Sequence, residues 1–156
     1  MRLLIIAASN RQPSWVSVAY HEYAKRFRGT CRLELKEVQL ARRGAATTAR
    51  RAVEDEGERM LAAVPAGAHV VALAQTGQAW STETLAARIE AWMRLGTPVC
   101  LLIGGPDGLA EQCGARANET WSLSPLTLPH GLARVIVAEA LYRAWSLSEG
   151  HPYHRG

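Results

Sequence analysis

The last residues of the chain combine several side chains that can move protons or bind anions. Four of them lie among the last six residues: His151, Tyr153, His154 and Arg155. Glu139 and Arg143 stand four positions apart in the apolar segment before them. Such a group could supply a proton acceptor together with a cation that contacts a phosphate or stabilises a developing anion. Two plainer interpretations stay open, because Glu139 and Arg143 have the spacing of an ordinary helical ion pair and chain ends are commonly frayed.

A second candidate is the glycine-rich segment at residues 101–109, which reads LLIGGPDGL. An apolar run ends there in a turn whose missing side chains let a ligand approach the backbone. The segment contains neither GxGxxG nor GxxxxGKS/T, so it is not a standard phosphate-binding loop. A tight turn from strand to helix, with no ligand, is an equally good interpretation of this segment taken alone.

The third candidate is the segment at residues 121–131, WSLSPLTLPHG, where a short strand leads into a helix that a proline opens. Exposed backbone amides at this point can bind a polar ligand. The plainer alternative is a helix cap in which Thr127 or a neighbour accepts from the first amides. His130 is a lesser candidate for a proton acceptor, because its position is typical of a structural role at a helix start.

Apolar patterning predicts the elements that must position these segments. Short continuous apolar runs, typical of strands buried on both faces, cover residues 3–8, 68–74 and 99–103. An alternating run at 31–38 predicts a strand near an edge, and 119–123 a short fifth strand. Helical patterns cover 15–27, 48–64, 83–95 and about 129–147. The most loop-like interior segment is 42–46.

This order predicts one α/β domain over residues 1–156, with a mostly parallel sheet and helices on both faces. Ligands of such folds bind at the carboxyl ends of the strands, here after residues 74, 103 and 123. The last helix is apolar on more than one face. Val137, Leu141, Ala144 and Trp145 form one stripe, and Leu132, Val135 and Ile136 lie off it. We therefore expect that helix to form a subunit interface, and the protein to be a homodimer.

The charge and the cysteine content indicate the kind of partner and the cellular compartment. The formal charge is +4, and it is uneven: residues 1–60 hold twelve Lys or Arg against seven Asp or Glu, whereas the rest holds six against seven. An anionic partner is therefore expected on the first part of the chain, with Arg42, Arg43, Arg50 and Arg51 as its contacts. Three scattered cysteines favour neither a disulfide framework nor a zinc site. We expect a cytoplasmic protein with no metal and no membrane span.

Taken together, LLIGGPDGL, SLSPLTLPH and VAEALYRAWSLSEGHPYHRG resemble the RlmH family, the smallest methyltransferases of the SPOUT class. The likeness runs from Met1 to Gly156. It implies an α/β domain with a C-terminal deep trefoil knot that acts as a homodimer and uses S-adenosylmethionine. The implied product is N3-methylpseudouridine in 23S rRNA, made on assembled ribosomes. The implied cofactor pocket consists of Leu73, Gly104, Leu123, Ser124, Pro125, Leu126, Thr127 and Leu128.

The resemblance also implies catalytic roles near the end of the chain. The candidates are Glu139, Arg143, Tyr153, His154 and Arg155, with the proton acceptor and the positioning groups unranked among them. After the third strand the family often has an acidic residue and a Gly-Lys pair, whereas this chain has Ala74 and Gln78 there. Two other functions stay open: a non-catalytic RNA-binding or ribosome-associated protein, and a flavodoxin-like nucleotide-binding protein inferred from fold class alone.

Overall fold

The structure is a computed structural model that describes residues 1–44 and 48–155. Its strands are β1 (Arg2–Ala8), β2 (Arg32–Val38), β3 (His69–Ala79), β4 (Val99–Ile103) and β5 (Glu119–Ser122). Its α-helices are α1 (Ser14–Ala24), α2 (Ala49–Ala63), α3 (Thr82–Leu95), α4 (Glu111–Arg116) and α5 (His130–Ser148). A 3₁₀ turn, Pro152–Arg155, follows α5. Ala45 and Ala46 of the expected loop, and Gly156 of the tail, lie outside the described residues.

The five strands form one parallel sheet in the order β2-β1-β4-β3-β5. The predicted parallel sheet is therefore confirmed, with the alternating strand β2 at one edge and the short strand β5 at the other. Because side chains alternate across a strand, β1 feeds two cores. Leu3, Ile5 and Ala7 pack on one face of the sheet, and Leu4, Ile6 and Ala8 pack on the other.

Helices cover both faces, as the sequence predicted. The larger core contains Tyr20 of α1, Ile89 of α3 and Leu141 of α5. The smaller core contains Met60 of α2 and Cys113 of α4. Helix α4 was not predicted, because six residues are too few to show a helical period.

Strand β3 differs from the prediction in a way that shapes the candidate site. The sequence placed a loop after Ala74, whereas the strand continues to Ala79. Its ladder with β5 is interrupted, because Leu73 and Gln78 both pair with Trp121. The four residues between them, 74–77, form an excursion from the ladder at the carboxyl end of the sheet. The sequence shows this excursion only as polar residues after an apolar run.

Helix α5 is buried by its own chain. Val137, Leu141 and Ala144 are fully buried, in contact with α1 and α3. One of the two apolar faces on which the interface prediction rested is thus covered within the chain, whereas Val135 and Ile136, which lie off that stripe, are half-buried. Leu132, at the start of α5, remains 39% exposed. Among the described helices, none is long and apolar enough to cross a membrane.

Candidate active site

A cavity, called the main cavity, lies where the sequence placed the ligand, at the carboxyl ends of β3, β4 and β5. Its volume is about 550 Å³. Seven of the eight expected cofactor residues line it, namely Leu73, Gly104, Leu123, Ser124, Leu126, Thr127 and Leu128. Pro125 is exposed and does not line the cavity. The structure thus brings together three segments that are far apart in sequence.

One wall of this cavity is the excursion in β3. Ala74, Gln75 and Thr76 line it, although the sequence interpretation singled out only Leu73 there. The Gln75 side-chain amide donates to Thr127 Oγ1 at 2.8 Å, which ties the excursion to the last loop. A Cβ on Gly77 would lie 2.9 Å from the Trp121 backbone, so β3 can return to β5 only with glycine at this position.

The opposite wall is the glycine turn, residues 104–108. The Gly108 amide donates to the Gly105 carbonyl at 3.0 Å, and Gly108 has φ = 91°, which favours glycine. A Cβ on Gly104 would lie 2.6 Å from backbone atoms of Gly108 and Leu109. The interpretation that Gly104 is small in order to admit a ligand is therefore incomplete, because the turn itself requires glycine.

An ion-pair network supports the turn from outside. Arg43 Nε donates to Asp107 of the turn at 2.7 Å, and its Nη1 donates to Glu56 Oε2 at 2.7 Å. Glu56 is only 2% exposed and also accepts from the Ala41 amide at 3.0 Å. These two carboxylates raise the pKa of the Arg43 guanidinium, that of Glu56 having the larger effect. Arg43, expected to contact RNA, is thus engaged within the chain. The other three arginines of that prediction are exposed.

An aromatic pair closes the cavity at the sheet edge. Trp121 lines the cavity and stacks on Trp80, with ring centroids 5.3 Å apart and planes inclined by 14°. The Arg88 guanidinium lies 5.2 Å from the centre of the Trp80 ring. At the cavity mouth, Leu126 is 71% exposed. The site therefore offers an apolar floor and exposed apolar surface beside backbone polar groups.

A second cavity, of about 470 Å³, shares the glycine turn and residues Thr127 and Leu128 with the first. Its remaining lining includes the polar residues Ser9, Asn10, Gln12 and His130. It lies between the ends of β1 and β4, whose chain connections leave in opposite directions across the sheet. Such switch points are the usual ligand crevices of parallel sheets.

His130 sits at the boundary between the turn and this second cavity. Its Nδ1 lies 3.1 Å from the Gly104 carbonyl oxygen, and its Nε2 lies 3.1 Å from a terminal nitrogen of Arg134. Burial lowers the pKa of His130 below its usual value, and the nearby Arg134 charge acts in the same direction. With Nε2 facing a cation, His130 is not placed to accept a proton from a substrate.

The candidate catalytic residues of the tail form a separate cluster. Arg143 donates to Glu139 Oε1 at 2.8 Å, and the Tyr153 hydroxyl donates to the same oxygen at 3.3 Å. The Tyr153 ring packs edge-on against Tyr142, 4.7 Å between centroids. The plainer interpretation of a frayed chain end does not hold for Tyr153. Burial raises its pKa, followed by the effect of Glu139, so the phenol is neutral near pH 7.

The other two tail residues have different surroundings. His154 is held by its own turn, with Nδ1 2.7 Å from the His151 carbonyl oxygen, and Arg155 is exposed. Sequence reasoning missed Arg26, whose guanidinium lies 5.5 Å from the centre of the Tyr153 ring. Its one sequence signal was an i,i+4 pairing with Glu22, which forms at 3.0 Å.

Within one chain, the tail cluster and the main cavity do not meet. His130 marks the cavity end of α5, and Glu139 follows it by nine residues, which is about 14 Å along a helix. The structure thus assembles the expected cofactor pocket and the expected catalytic cluster separately. Among residues 1–44 and 48–155, no group of three or more His, Cys, Asp or Glu side chains is placed to hold a metal ion.

The chain is similar over almost its whole length to known proteins. Residues 1–154 match the family described as "Predicted SPOUT methyltransferase". The chain is 52% identical over 155 residues to a protein of Thioalkalivibrio sulfidiphilus named "Ribosomal RNA large subunit methyltransferase H", covering 99% of both chains. Proteins of that name from Alkalilimnicola ehrlichii and a Marinomonas species are 52% and 50% identical, with at least 99% of each chain covered.

Proposed function

This chain belongs to the SPOUT methyltransferase family, and we propose that it methylates ribosomal RNA of the large subunit with S-adenosylmethionine as the methyl donor. The resemblance to the RlmH family seen in the sequence is confirmed by the relatives that match it end to end. The observation that supports the proposal best is the main cavity, because three remote segments that the resemblance assigned to the cofactor line one space of about 550 Å³.

The residues present fit such a cofactor. The glycine turn and the loop at 123–128 offer backbone groups with little side-chain cover, which suits the hydrogen-bonding edge of an adenine. Leu73, Leu123 and Trp121 offer the apolar surface on which a purine ring packs. When bound, S-adenosylmethionine supplies an electrophilic methyl group on a sulfonium.

The acceptor in this proposal is N3 of a pseudouridine in 23S rRNA. The second cavity lies across the shared turn from the cofactor pocket and can hold a nucleoside close to it. An imide N3 must lose its proton during transfer, so a nearby acceptor or a cation lowers the barrier. Glu139, Arg143 and Tyr153 already form a hydrogen-bonded group of that kind, with His154 and Arg155 beside it.

Because that group is remote from the cavity of its own chain, we assign it to the active site of a second copy in a homodimer. Trp15 and Val18 of α1 are 54% and 70% exposed, and Leu132 of α5 is 39% exposed. Val16 of α1 and Gln12, just before α1, lie beside Gly131 at the start of α5. Because Gln12 and His130 line the second cavity, a copy docked on the starts of α1 and α5 can place its tail over that cavity.

The proposal includes the family's knot. After β5 at the sheet edge, the chain returns across the sheet so that His130 contacts the Gly104 carbonyl at the end of β4. The return of the last segment to the glycine turn supports a threaded C-terminal part. Pattern alone would not predict such threading, because chain connections in α/β folds are almost always unknotted.

Calorimetry with S-adenosylmethionine, followed by transfer of its labelled methyl group to ribosomes, tests the function. We expect binding with one site per chain, and labelling of assembled ribosomes in preference to free 23S rRNA. The modified nucleoside should be N3-methylpseudouridine by mass spectrometry. Binding to ribosomes without cofactor binding or label would favour the non-catalytic RNA-binding alternative. Cofactor binding with label on another nucleoside would refute only the pseudouridine assignment.

A further inference from the structure

The glycine turn has little stiffness of its own. Three of its five residues are Gly104, Gly105 and Gly108, so the backbone must be held by neighbours. Arg43 holds one side through Asp107. On the other side, the Gly104 carbonyl faces Nδ1 of His130, 3.1 Å away. The second anchor belongs to a residue that the proposed chemistry does not use.

The two contacts of His130 fix its protonation state. A carbonyl oxygen can only accept a hydrogen bond, so Nδ1 must carry the proton that it shares with Gly104. A guanidinium nitrogen can only donate, so Nε2 must be the unprotonated nitrogen that accepts from Arg134. Both contacts can form together only in the neutral, Nδ1-protonated tautomer.

Arg134 is itself firmly placed. It is 1% exposed, and the two hydrogens of the nitrogen that reaches His130 are shared among three acceptors: His130 Nε2 at 3.1 Å, Ser9 Oγ at 2.9 Å and Glu37 Oε2 at 3.2 Å. The other ionisable group that faces it is Tyr20 of α1, whose pKa is raised by burial, so that it stays neutral. The charged groups that act on His130 are Arg134, on the same helix, and Glu37 on β2. A buried guanidinium with a fixed position restricts which protonation state the neighbouring imidazole can adopt.

We propose that His130 is a positioning residue of the cofactor pocket, which Arg134 holds as the neutral Nδ1-protonated tautomer so that it fixes the Gly104 carbonyl and with it the glycine turn. The inference rests on the proposed function in one respect, namely that this pocket binds S-adenosylmethionine. Protonation of Nε2 would put two donors 3.1 Å apart, with like charges facing each other. The ring must then leave Arg134, and the contact with Gly104 is lost.

The pH dependence follows from this geometry. Burial lowers the pKa of His130 in the folded protein. The anchor is therefore complete above the ordinary histidine value, about 6.5. It is lost as the pH falls through the lowered value. Cofactor affinity should follow the same course.

Three variants separate positioning from simple packing. The Asn amide nitrogen occupies nearly the position of imidazole Nδ1, so His130→Asn keeps the donor to Gly104 but cannot be protonated. His130→Phe keeps the ring volume and removes the donor. His21→Asn is the matched control, because His21 is exposed on α1. Each variant is checked for an unchanged unfolding temperature at pH 8.

Calorimetry with S-adenosylmethionine at pH 8 and at successively lower pH values, as far as the protein stays folded, is the first readout. A lost hydrogen bond is worth roughly 1 kcal/mol, or about fivefold in affinity. We expect His130→Phe to bind about five- to tenfold more weakly at pH 8. His130→Asn should bind within about threefold of the unmodified protein at pH 8 and lose less affinity on acidification. The His21→Asn variant should keep the unmodified pH profile.

Nitrogen NMR of the histidine rings, without cofactor, is the second readout, and we expect a protonated Nδ1 and a bare Nε2 for His130 at pH 8. An Nε2-protonated ring would overturn the proposal. So would undiminished binding by His130→Phe, or the same pH profile in His130→Asn as in the unmodified protein. If the unmodified protein fails to bind the cofactor at pH 8, the proposed function fails and the positioning role fails with it, whereas the tautomer is still decided by NMR.

Discussion

The ion pair behind the glycine turn makes a sharp prediction about Arg43. Replacing Arg43 with Ala leaves the carboxylate of Glu56, whose side chain is 3% exposed, with the Ala41 amide as its remaining described donor. Removing one partner of a fully buried pair costs about 3 to 5 kcal/mol. Arg43 retains 28% side-chain exposure, so water can reach the carboxylate, and we expect a loss of about 2 kcal/mol in the free energy of unfolding.

Thermal and urea unfolding measure this loss. For a chain of this size, about 2 kcal/mol corresponds to a fall of roughly 4 to 8 °C in the unfolding temperature. Arg50→Ala is the matched control, because Arg50 pairs with Glu54 at 3.2 Å but its side chain is 88% exposed. Exposed pairs of this kind contribute little, so no resolvable change is expected.

A double variant tests the physical reason. Arg43→Ala combined with Glu56→Gln removes the buried charge as well as its counter-ion. It should therefore be more stable than Arg43→Ala alone, since an amide is less costly to leave without a cation. Equal stability of Arg43→Ala and Arg50→Ala would refute the reasoning, and so would additive losses in the double variant.

The remaining predictions concern the tail, the dimer and the RNA. A chain that ends before Tyr153 should bind S-adenosylmethionine unchanged, yet methylate ribosomes at least about 100-fold more slowly; transfer at the full rate would remove the tail from the chemistry. Val18→Glu combined with Leu132→Glu should convert a dimer into a monomer in sedimentation, whereas a monomeric unmodified protein would refute the dimer itself. Arg42→Ala combined with Arg51→Ala should weaken ribosome binding and flatten its salt dependence, measured by filter binding, and an unchanged slope would place these arginines outside the interface.

The sequence predicted the strands well where the chain is apolar without interruption. Residues 99–103 were placed correctly to the residue, because a strand buried on both faces must be apolar throughout. The glycine turn was located because its glycines directly follow a buried strand, but the pattern alone did not distinguish a ligand site from a tight turn. The resemblance then supplied Leu73 and the last loop, which pattern alone does not connect to the turn.

Long-range contacts between polar groups were beyond sequence reasoning. Arg43 looked like one of several surface arginines, because nothing local shows that Glu56, thirteen positions later, is buried beneath it. Nothing in the sequence singled out Arg134, yet it has one of the largest fully buried side chains among the described residues. Of its partners, Ser9 directly follows β1 and Glu37 lies on β2, and they meet Arg134 only through the order of strands in the sheet.

The distance between the cavity and the tail cluster along α5 has a genetic consequence. In a dimer whose active sites each combine the pocket of one copy with the tail of the other, a copy with a defective pocket still contributes an intact tail. A copy without its tail still contributes an intact pocket. Neither defective protein is active by itself. After unfolding and refolding the two together in equal amounts, half of the dimers pair one of each and carry one complete site, so activity should return to roughly one quarter of the normal level. Two inactive alleles of this gene would then complement each other in one cell, and a single damaged allele would be only partly dominant.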